Sequence, residues 1–188
     1  MPGRFSWEDR RRLLQEARRA VSEALAGRPA APVEPEGVLG LHAGAFVSFH
    51  RHGELRGCIG HPDGDQPLAA VVARCAVAAA TEDPRFAPVT LDELEDCAIE
   101  VSVLGPIEPV EDAADIIVGR HGLIVEQGRH RGLLLPQVAR EQGWNRDTFL
   151  ARTCAKAGLP GDAWKRGAKI LKFEAEVFGE TDPQEGEA

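Results

Sequence analysis

Two residues of one short segment, Arg56 and Cys58, are the strongest candidates for chemistry in this 188-residue sequence. Residues 55–60 read Leu-Arg-Gly-Cys-Ile-Gly and are predicted to form a strand, in which alternate side chains share a face. Arg56 and Cys58 are therefore expected on one face, with Leu55 and Ile59 buried on the other. A guanidinium beside a thiol favours the thiolate, the nucleophilic form of cysteine. The pattern predicts an accessible thiolate with a depressed pKa.

The two glycines of the same segment support this interpretation but do not require it. Gly57 and Gly60 weaken a strand unless another group approaches the backbone closely, so both are candidate ligand-binding residues. The alternative is a small buried cysteine in a strand kinked by its glycines, with Arg56 paired to a nearby carboxylate. The spacing alone leaves both interpretations open.

Arg85 and Glu100 are two further candidate ligand-binding residues. Arg85 lies in the rigid loop Asp83-Pro84-Arg85-Phe86 and is a candidate for binding an anion, the alternative being an arginine on a loop surface. Glu100 lies in a predicted strand over residues 99–104, where it shares a face with Ser102. Its carboxylate either faces water or lines a site, in which it could pair with Arg56 or Arg85.

The histidines and cysteines do not form a metal-ligand pattern. His50, His52 and His61 flank one predicted hairpin, but no carboxylate completes a ligand set, and histidines near a hairpin tip are commonly exposed. We therefore predict no metal and no cofactor.

The four cysteines include no CxxC pair, which argues against a zinc site and against a disulfide framework. Apart from Cys58, they are expected to be small buried residues (Cys75, Cys97 and Cys154).

The elements that must position these residues predict an α+β fold. Residues 43–60 form a predicted hairpin with its turn at His52-Gly53, and residues 67–81 form a helix with one charge, so that it is buried nearly all round. A second hairpin spans residues 123–135, and residues 171–178 alternate as a half-exposed strand in which Val177 belongs to the apolar face. Two hairpins without a strict βαβ rhythm favour α+β over a doubly wound sheet.

Three capping residues predict where helices begin. Ser6 precedes a periodic apolar pattern that ends near residue 26, Thr90 begins a short turn, and Asn145 precedes a helix that ends near residue 157. We divide the chain into an N-terminal helix and proline-rich connector (1–37), a main domain (38–178) and a disordered acidic tail (179–188).

Composition excludes several classes of protein. The chain carries 22 Lys and Arg against 30 Asp and Glu, a net charge of −8, which disfavours a general nucleic-acid binder. The most apolar run, residues 68–81, is too short to span a bilayer, and the N-terminus has no apolar segment typical of a signal peptide. We therefore predict a cytoplasmic protein with no membrane association.

The segment at 55–60 also resembles the hallmark hexapeptide of the AMMECR domain family. The resemblance extends over about residues 40–178 and includes the Asp-Pro-Arg-Phe loop at 83–86, the Leu-Pro-Gln-Val-Ala block at 135–139 and Glu-Gln-Gly-Trp at 141–144. Within the family, this sequence is similar to the prokaryotic branch, called AmmeMemoRadiSam system protein A.

This resemblance implies a mostly antiparallel sheet flanked by helices, with a smaller second lobe. It also implies a three-part system with a Memo-like protein and a radical-SAM protein, and it places the site at Arg56, Gly57, Cys58 and Gly60. Two hypotheses follow. Either the chain is an enzyme or enzyme subunit that uses the Cys58 thiolate, with Arg56 binding a small anionic ligand, or it is a non-catalytic adaptor that docks partners through the glycine-rich hexapeptide.

Nucleic-acid binding provides a test of the charge analysis. Residues 1–25 contain six arginines, but four carboxylates leave them a net charge of only +2. We expect no specific binding of DNA or RNA in fluorescence anisotropy titrations at about 150 mM salt. Tight binding that resists added salt would contradict this prediction.

Overall fold

The computed structural model describes residues 4–29, 31 and 33–182. These residues fall into two compact units, the first within Met1–Val103 and Glu176–Ala188 and the second within Leu104–Ala175. Helices and antiparallel strands occur in both units, which confirms the α+β prediction.

The first unit is built on α-helices and antiparallel strands. They are α1 (Trp7–Leu25), β1 (Ala45–Arg51), β2 (Glu54–His61), α2 (Leu68–Thr81), α3 (Leu91–Glu95) and β3 (Cys97–Leu104, of which Leu104 lies in the second unit). The strands pair antiparallel in the order β2-β1-β3.

Local sequence signals set the helix boundaries as predicted. The Ser6 hydroxyl accepts the N–H of Asp9 (3.1 Å), and the Asp9 carboxylate accepts the N–H of Ser6 (3.2 Å), which forms a capping box at the start of α1. The Thr90 hydroxyl likewise accepts the N–H of Glu93 and begins α3.

The apolar helix α2 is the centre of the core. It begins at Leu68, one residue later than predicted, and most of its side chains are buried. It packs on α1 and against strands β1 and β2, on the face of the sheet where Val47, Phe49, Ile99 and Val101 point inward. Burial of this helix on almost every side explains why its sequence carries so few charges.

One irregularity in the hairpin decides which side chains point toward that core. His50 pairs with Leu55, but Phe49 pairs with Gly57, so Arg56 is the extra residue of a β-bulge. Beyond the bulge, Ser48 pairs with Cys58. Gly57 therefore takes the core side with Phe49, and Cys58 takes the opposite side with Ser48.

The second unit is built on its own antiparallel strands. Its elements are β4 (Glu108–Pro109), β5 (His121–Gln127), β6 (His130–Leu134), α4 (Pro136–Glu141), α5 (Arg146–Lys156) and the first part of β7 (Lys169–Gly179). β5 pairs with β6 and β7, and β4 pairs with β7. Asn145 caps α5 as predicted, with its side-chain oxygen accepting the N–H of Thr148 (2.9 Å).

Two expectations about exposure are wrong. Leu55 is 39% exposed rather than buried, because the bulge at Arg56 moves it to the opposite side of the sheet from Gly57. In β7, Phe178 is buried and Val177 is exposed, since Phe178 packs edge-to-face on Phe5 in the first unit (6.3 Å between ring centroids).

The start of the predicted acidic tail is part of the fold. Gly179 ends β7, the Glu180 N–H donates to the carbonyl of Ile99 (3.0 Å), and the Glu180 carboxylate accepts the Ile99 N–H (2.8 Å). The rest of the predicted tail, residues 183–188, lies outside the described residues.

The predicted segment boundaries at residues 37 and 178 stay predictions.

Among the described residues, no helix is both long enough and apolar enough to cross a bilayer.

Gly57 provides a test of the packing between β2 and α2. A Cβ atom at Gly57 would clash with the backbone carbonyl of Ala79 in α2, whereas one at Gly161 would meet only ordinary contacts, the nearest at 3.5 Å. We expect Gly57→Ala to lower the free energy of unfolding by about 2–3 kcal/mol in urea titrations, and Gly161→Ala to change it little. An equal, small effect of both substitutions would contradict the close packing.

Candidate functional site

Three polar side chains lie side by side on the face of the sheet turned away from the core, here called the outer face. Ser48 of β1 pairs with Cys58 of β2 on one side and with Glu100 of β3 on the other. Directly opposed residues on neighbouring strands have Cβ atoms about 4.5–5.5 Å apart. Cys58, Ser48 and Glu100 therefore form a continuous polar row across three strands.

The thiol of Cys58 is half-buried, and its surroundings disfavour the thiolate. Burial is the largest influence on it and raises its pKa, and the Asp83 and Glu100 carboxylates act in the same direction. A hydrogen bond with Ser48 and the positive charge of Arg85 oppose this rise. The predicted depression of the Cys58 pKa is therefore wrong, because desolvation outweighs the nearby cation.

Asp83 fixes the backbone of the strand beside the thiol. Its buried carboxylate accepts the N–H of Cys58 (2.9 Å) and binds the guanidinium of Arg85 through Nε (2.9 Å) and Nη2 (2.7 Å). These hydrogen bonds, with that of Arg85 foremost, hold the pKa of Asp83 well below its usual range. Arg85 itself remains 55% exposed, so one side of its guanidinium faces water beside the thiol.

Arg56 does not partner the thiol. Its guanidinium binds Glu93 of α3 through Nε (2.7 Å) and Nη2 (3.1 Å), and it lies over the ring of Phe86, 5.8 Å from the centroid. Arg85 lies over the same ring at 5.4 Å. The alternative interpretation of Arg56, a pair with a nearby carboxylate, is thus confirmed, and Arg85 is the arginine whose charge acts on Cys58.

Both glycines of the hexapeptide are closely approached by other parts of the protein. The α2 backbone packs on Gly57, and the ring of Phe46 packs over Gly60, where a Cβ atom would collide with it. Gly60 also lines a cavity of about 530 Å³ with Ile59, His61 and residues of α2, and Cys58 is not among its lining residues. Close approach to the backbone therefore explains both glycines by packing.

The sequence interpretation missed Ser48 and Glu93, and it undervalued His50. Period-two alternation in β1 places Ser48 and His50 on one face, but only the register shows which β2 residue they meet. His50 is half-buried rather than exposed, with no hydrogen-bond partner for its buried Nε2 atom. Across residues 4–29, 31 and 33–182, no group of three or more His, Cys, Asp or Glu is arranged to hold a metal ion.

The ion pair of Asp83 leads to a prediction about stability and pH. Because the folded state lowers the pKa of Asp83, the stability it contributes is present at neutral pH and is lost as pH falls below about 4, its ordinary value. We expect Asp83→Asn to lower the free energy of unfolding at pH 7 by about 1–2 kcal/mol, and by less at pH 3. Urea titrations at both pH values measure the change in the free energy of unfolding, and Asp92→Asn, at an exposed residue, is the control. A loss of stability in Asp83→Asn that is equal at pH 7 and pH 3 would contradict the prediction.

Comparison with known proteins identifies the family. The AMMECR1 family model matches residues 14–178. The chain is 46% identical over 203 residues to a protein of Thermofilum pendens, covering 97% of this chain and 94% of the relative. It is 44% identical over 177 residues to protein MJ0810 of Methanocaldococcus jannaschii, covering 89% of this chain and 88% of that relative.

A solved structure shares the fold. The crystal structure of protein PH0010 from Pyrococcus horikoshii superposes with a TM-score of 0.87 at 43% sequence identity, covering 94% of this chain and 93% of that one. With the family model matching most of its length, this chain belongs to the AMMECR1 family.

Proposed function

We propose that this protein binds a small anionic ligand or substrate beside the polar row and that Cys58 is the thiol that meets it. The expected setting is a three-part system in the cytoplasm with a Memo-like protein and a radical-SAM protein, as the family resemblance implies. Arg85 replaces Arg56 as the residue that contacts the anionic group, because Arg56 is bound by Glu93.

The observation that carries the proposal is the polar row itself. Ser48 is 9% exposed, and Ser102, which shares the outer face, is 2% exposed. Burying hydroxyl groups on a sheet is costly unless each finds a hydrogen bond, so apolar residues serve packing better. A thiol, a hydroxyl and a carboxylate in register on adjacent strands support a site for chemistry rather than packing alone.

The exposed guanidinium of Arg85 supports an anionic ligand beside the thiol. Arg85 keeps its guanidinium half in water, and Asp83 holds it through only two of its three nitrogens. An anion at this position would meet the remaining guanidinium surface next to the Cys58 sulfur. Gly57 and Gly60 enter the proposal as the residues that allow α2 and Phe46 to pack around β2.

The second candidate function is the adaptor. Leu55, on strand β2 at the end of the strand order, is 39% exposed, and the exposed Arg85 lies on a loop bound to the same strand. An apolar and a cationic side chain together would suit a protein partner that covers the hexapeptide. In that case Cys58 needs no selectivity between small reagents.

The charge preference of Cys58 for alkylating reagents separates the two candidates. We expect the ratio of the rate constants for iodoacetate (anionic) and iodoacetamide (neutral) to exceed that of free cysteine by about tenfold, even though the chain carries a net charge of −8. Peptide mass spectrometry measures the alkylation rate of each cysteine, and the buried Cys75, Cys97 and Cys154 serve as internal controls.

Two arginine variants make the test specific. Arg85→Met should reduce the ratio to that of free cysteine. Arg120→Met, at an exposed arginine that is bound by Glu174 and does not contact β2, should leave the ratio unchanged. A ratio at or below that of free cysteine in the unaltered chain would reject the anionic site and favour the adaptor.

A further inference from the structure

His50 lies next to the polar row on the outer face. It follows Ser48 by two residues on β1, and its partner on β2 is Leu55, while Ser48 pairs with Cys58. His50 and Cys58 are therefore diagonal neighbours, a relationship that places Cα atoms about 7–8 Å apart with side chains in reach. The N–H of Cys58 points away from β1 and donates to Asp83. Ser48 and Cys58 are therefore a non-hydrogen-bonded pair of the antiparallel ladder, the kind of pair in which side chains lie closest.

The imidazole of His50 has an unused nitrogen. Its Nε2 atom is buried from solvent and has no hydrogen-bond partner among the described residues. A buried polar atom without a partner is costly, and such atoms in folded proteins call for an explanation such as a catalytic role. This nitrogen is therefore available to accept a proton from a neighbouring side chain.

A cavity of about 410 Å³ adjoins His50 and Glu100. The other titratable groups that line it are His52 of the turn, Asp96 before β3 and Asp182 after β7. Asp96 is bound by Arg51 (3.0 Å), and Asp182 accepts the N–H of Gly179 (2.8 Å). Glu100 is the carboxylate that shares the outer face with His50.

We propose that His50 is the general base for Cys58, which deepens the proposed function and rests on it. The Nε2 lone pair takes the thiol proton, and the S–H bonding pair stays on sulfur as the thiolate. The products are an imidazolium and a thiolate, so the net charge is unchanged and no further reactant is needed. Glu100 stabilises the imidazolium, and Ser48 and Arg85 stabilise the thiolate.

This arrangement explains how a buried thiol can react at neutral pH. Forming an isolated thiolate would leave one uncompensated charge in a half-buried place. Transfer of the proton to His50 creates two opposite charges that attract each other across neighbouring strands. In this proposal the thiol and the imidazole carry no charge before the transfer and opposite charges after it.

The pH dependence of Cys58 alkylation by iodoacetamide, a neutral reagent, tests this inference. Without a base, the rate should fall about tenfold per pH unit below the thiol pKa. With His50 as base, the rate levels off near pH 7, and His50→Gln removes this plateau and lowers the rate at pH 7 by about tenfold or more. His52→Gln, in the exposed turn, serves as the matched control and should keep the plateau.

Chemical rescue provides a second measurement. His50→Ala enlarges the neighbouring cavity, and added imidazole should restore the rate at pH 7, whereas it should not accelerate His52→Ala. A plateau that survives His50→Gln, or a native chain whose rate falls tenfold per pH unit down to about pH 6, would overturn the inference. The pH dependence of Cys58 alkylation in the unaltered chain tests the inference even where a variant fails to fold.

Failure of this inference is distinguishable from failure of the proposed function. If Cys58 prefers iodoacetate through Arg85 but shows no plateau, the anionic site stands and His50 has no part in it. If Cys58 shows no preference for iodoacetate, the proposed function fails and the inference fails with it.

Discussion

The one-residue bulge at Arg56 determines the chemistry available to this protein. A regular hairpin that starts from the pair of Arg51 and Glu54 would place Cys58 opposite Val47, on the core side. The extra residue shifts the register by one, so Gly57 meets α2 and Cys58 reaches the outer face. Without the bulge the thiol would be one more buried cysteine, like Cys75.

Two ion pairs and one ring hold the strand in that register. Glu93 binds the side chain of the bulged Arg56, and Asp83 binds the backbone of Cys58 two residues later. Phe86 links the two pairs, since the guanidinium groups of Arg56 and Arg85 both lie over its ring. The loop at 83–86 and helix α3 therefore act on β2 together, and the hexapeptide owes its conformation to residues more than twenty positions away.

Features decided by neighbours in sequence could be predicted. The caps at Ser6, Thr90 and Asn145 need only residues within one helical turn, and the apolar composition of α2 indicates its burial.

The predictions that were wrong depended on contacts between residues far apart in sequence. No local pattern shows that Arg56 is an extra residue, because the contacts that accompany the bulge, of Gly57 with Ala79 and of Arg56 with Glu93, join residues far apart in sequence. The same limit applies to β7, where Phe5, far away in sequence, decides that Phe178 is the buried residue.

The hydrogen bond from Cys58 to Asp83 has a consequence for association between chains. β2 comes at the end of the strand order, and an exposed strand edge invites pairing with a strand of another molecule. The Asp83 carboxylate accepts the edge N–H of Cys58, which an added strand would need for pairing. It also places a charged group where that added strand would lie. The same bond that orients the thiol thus protects the edge of the sheet from aggregation.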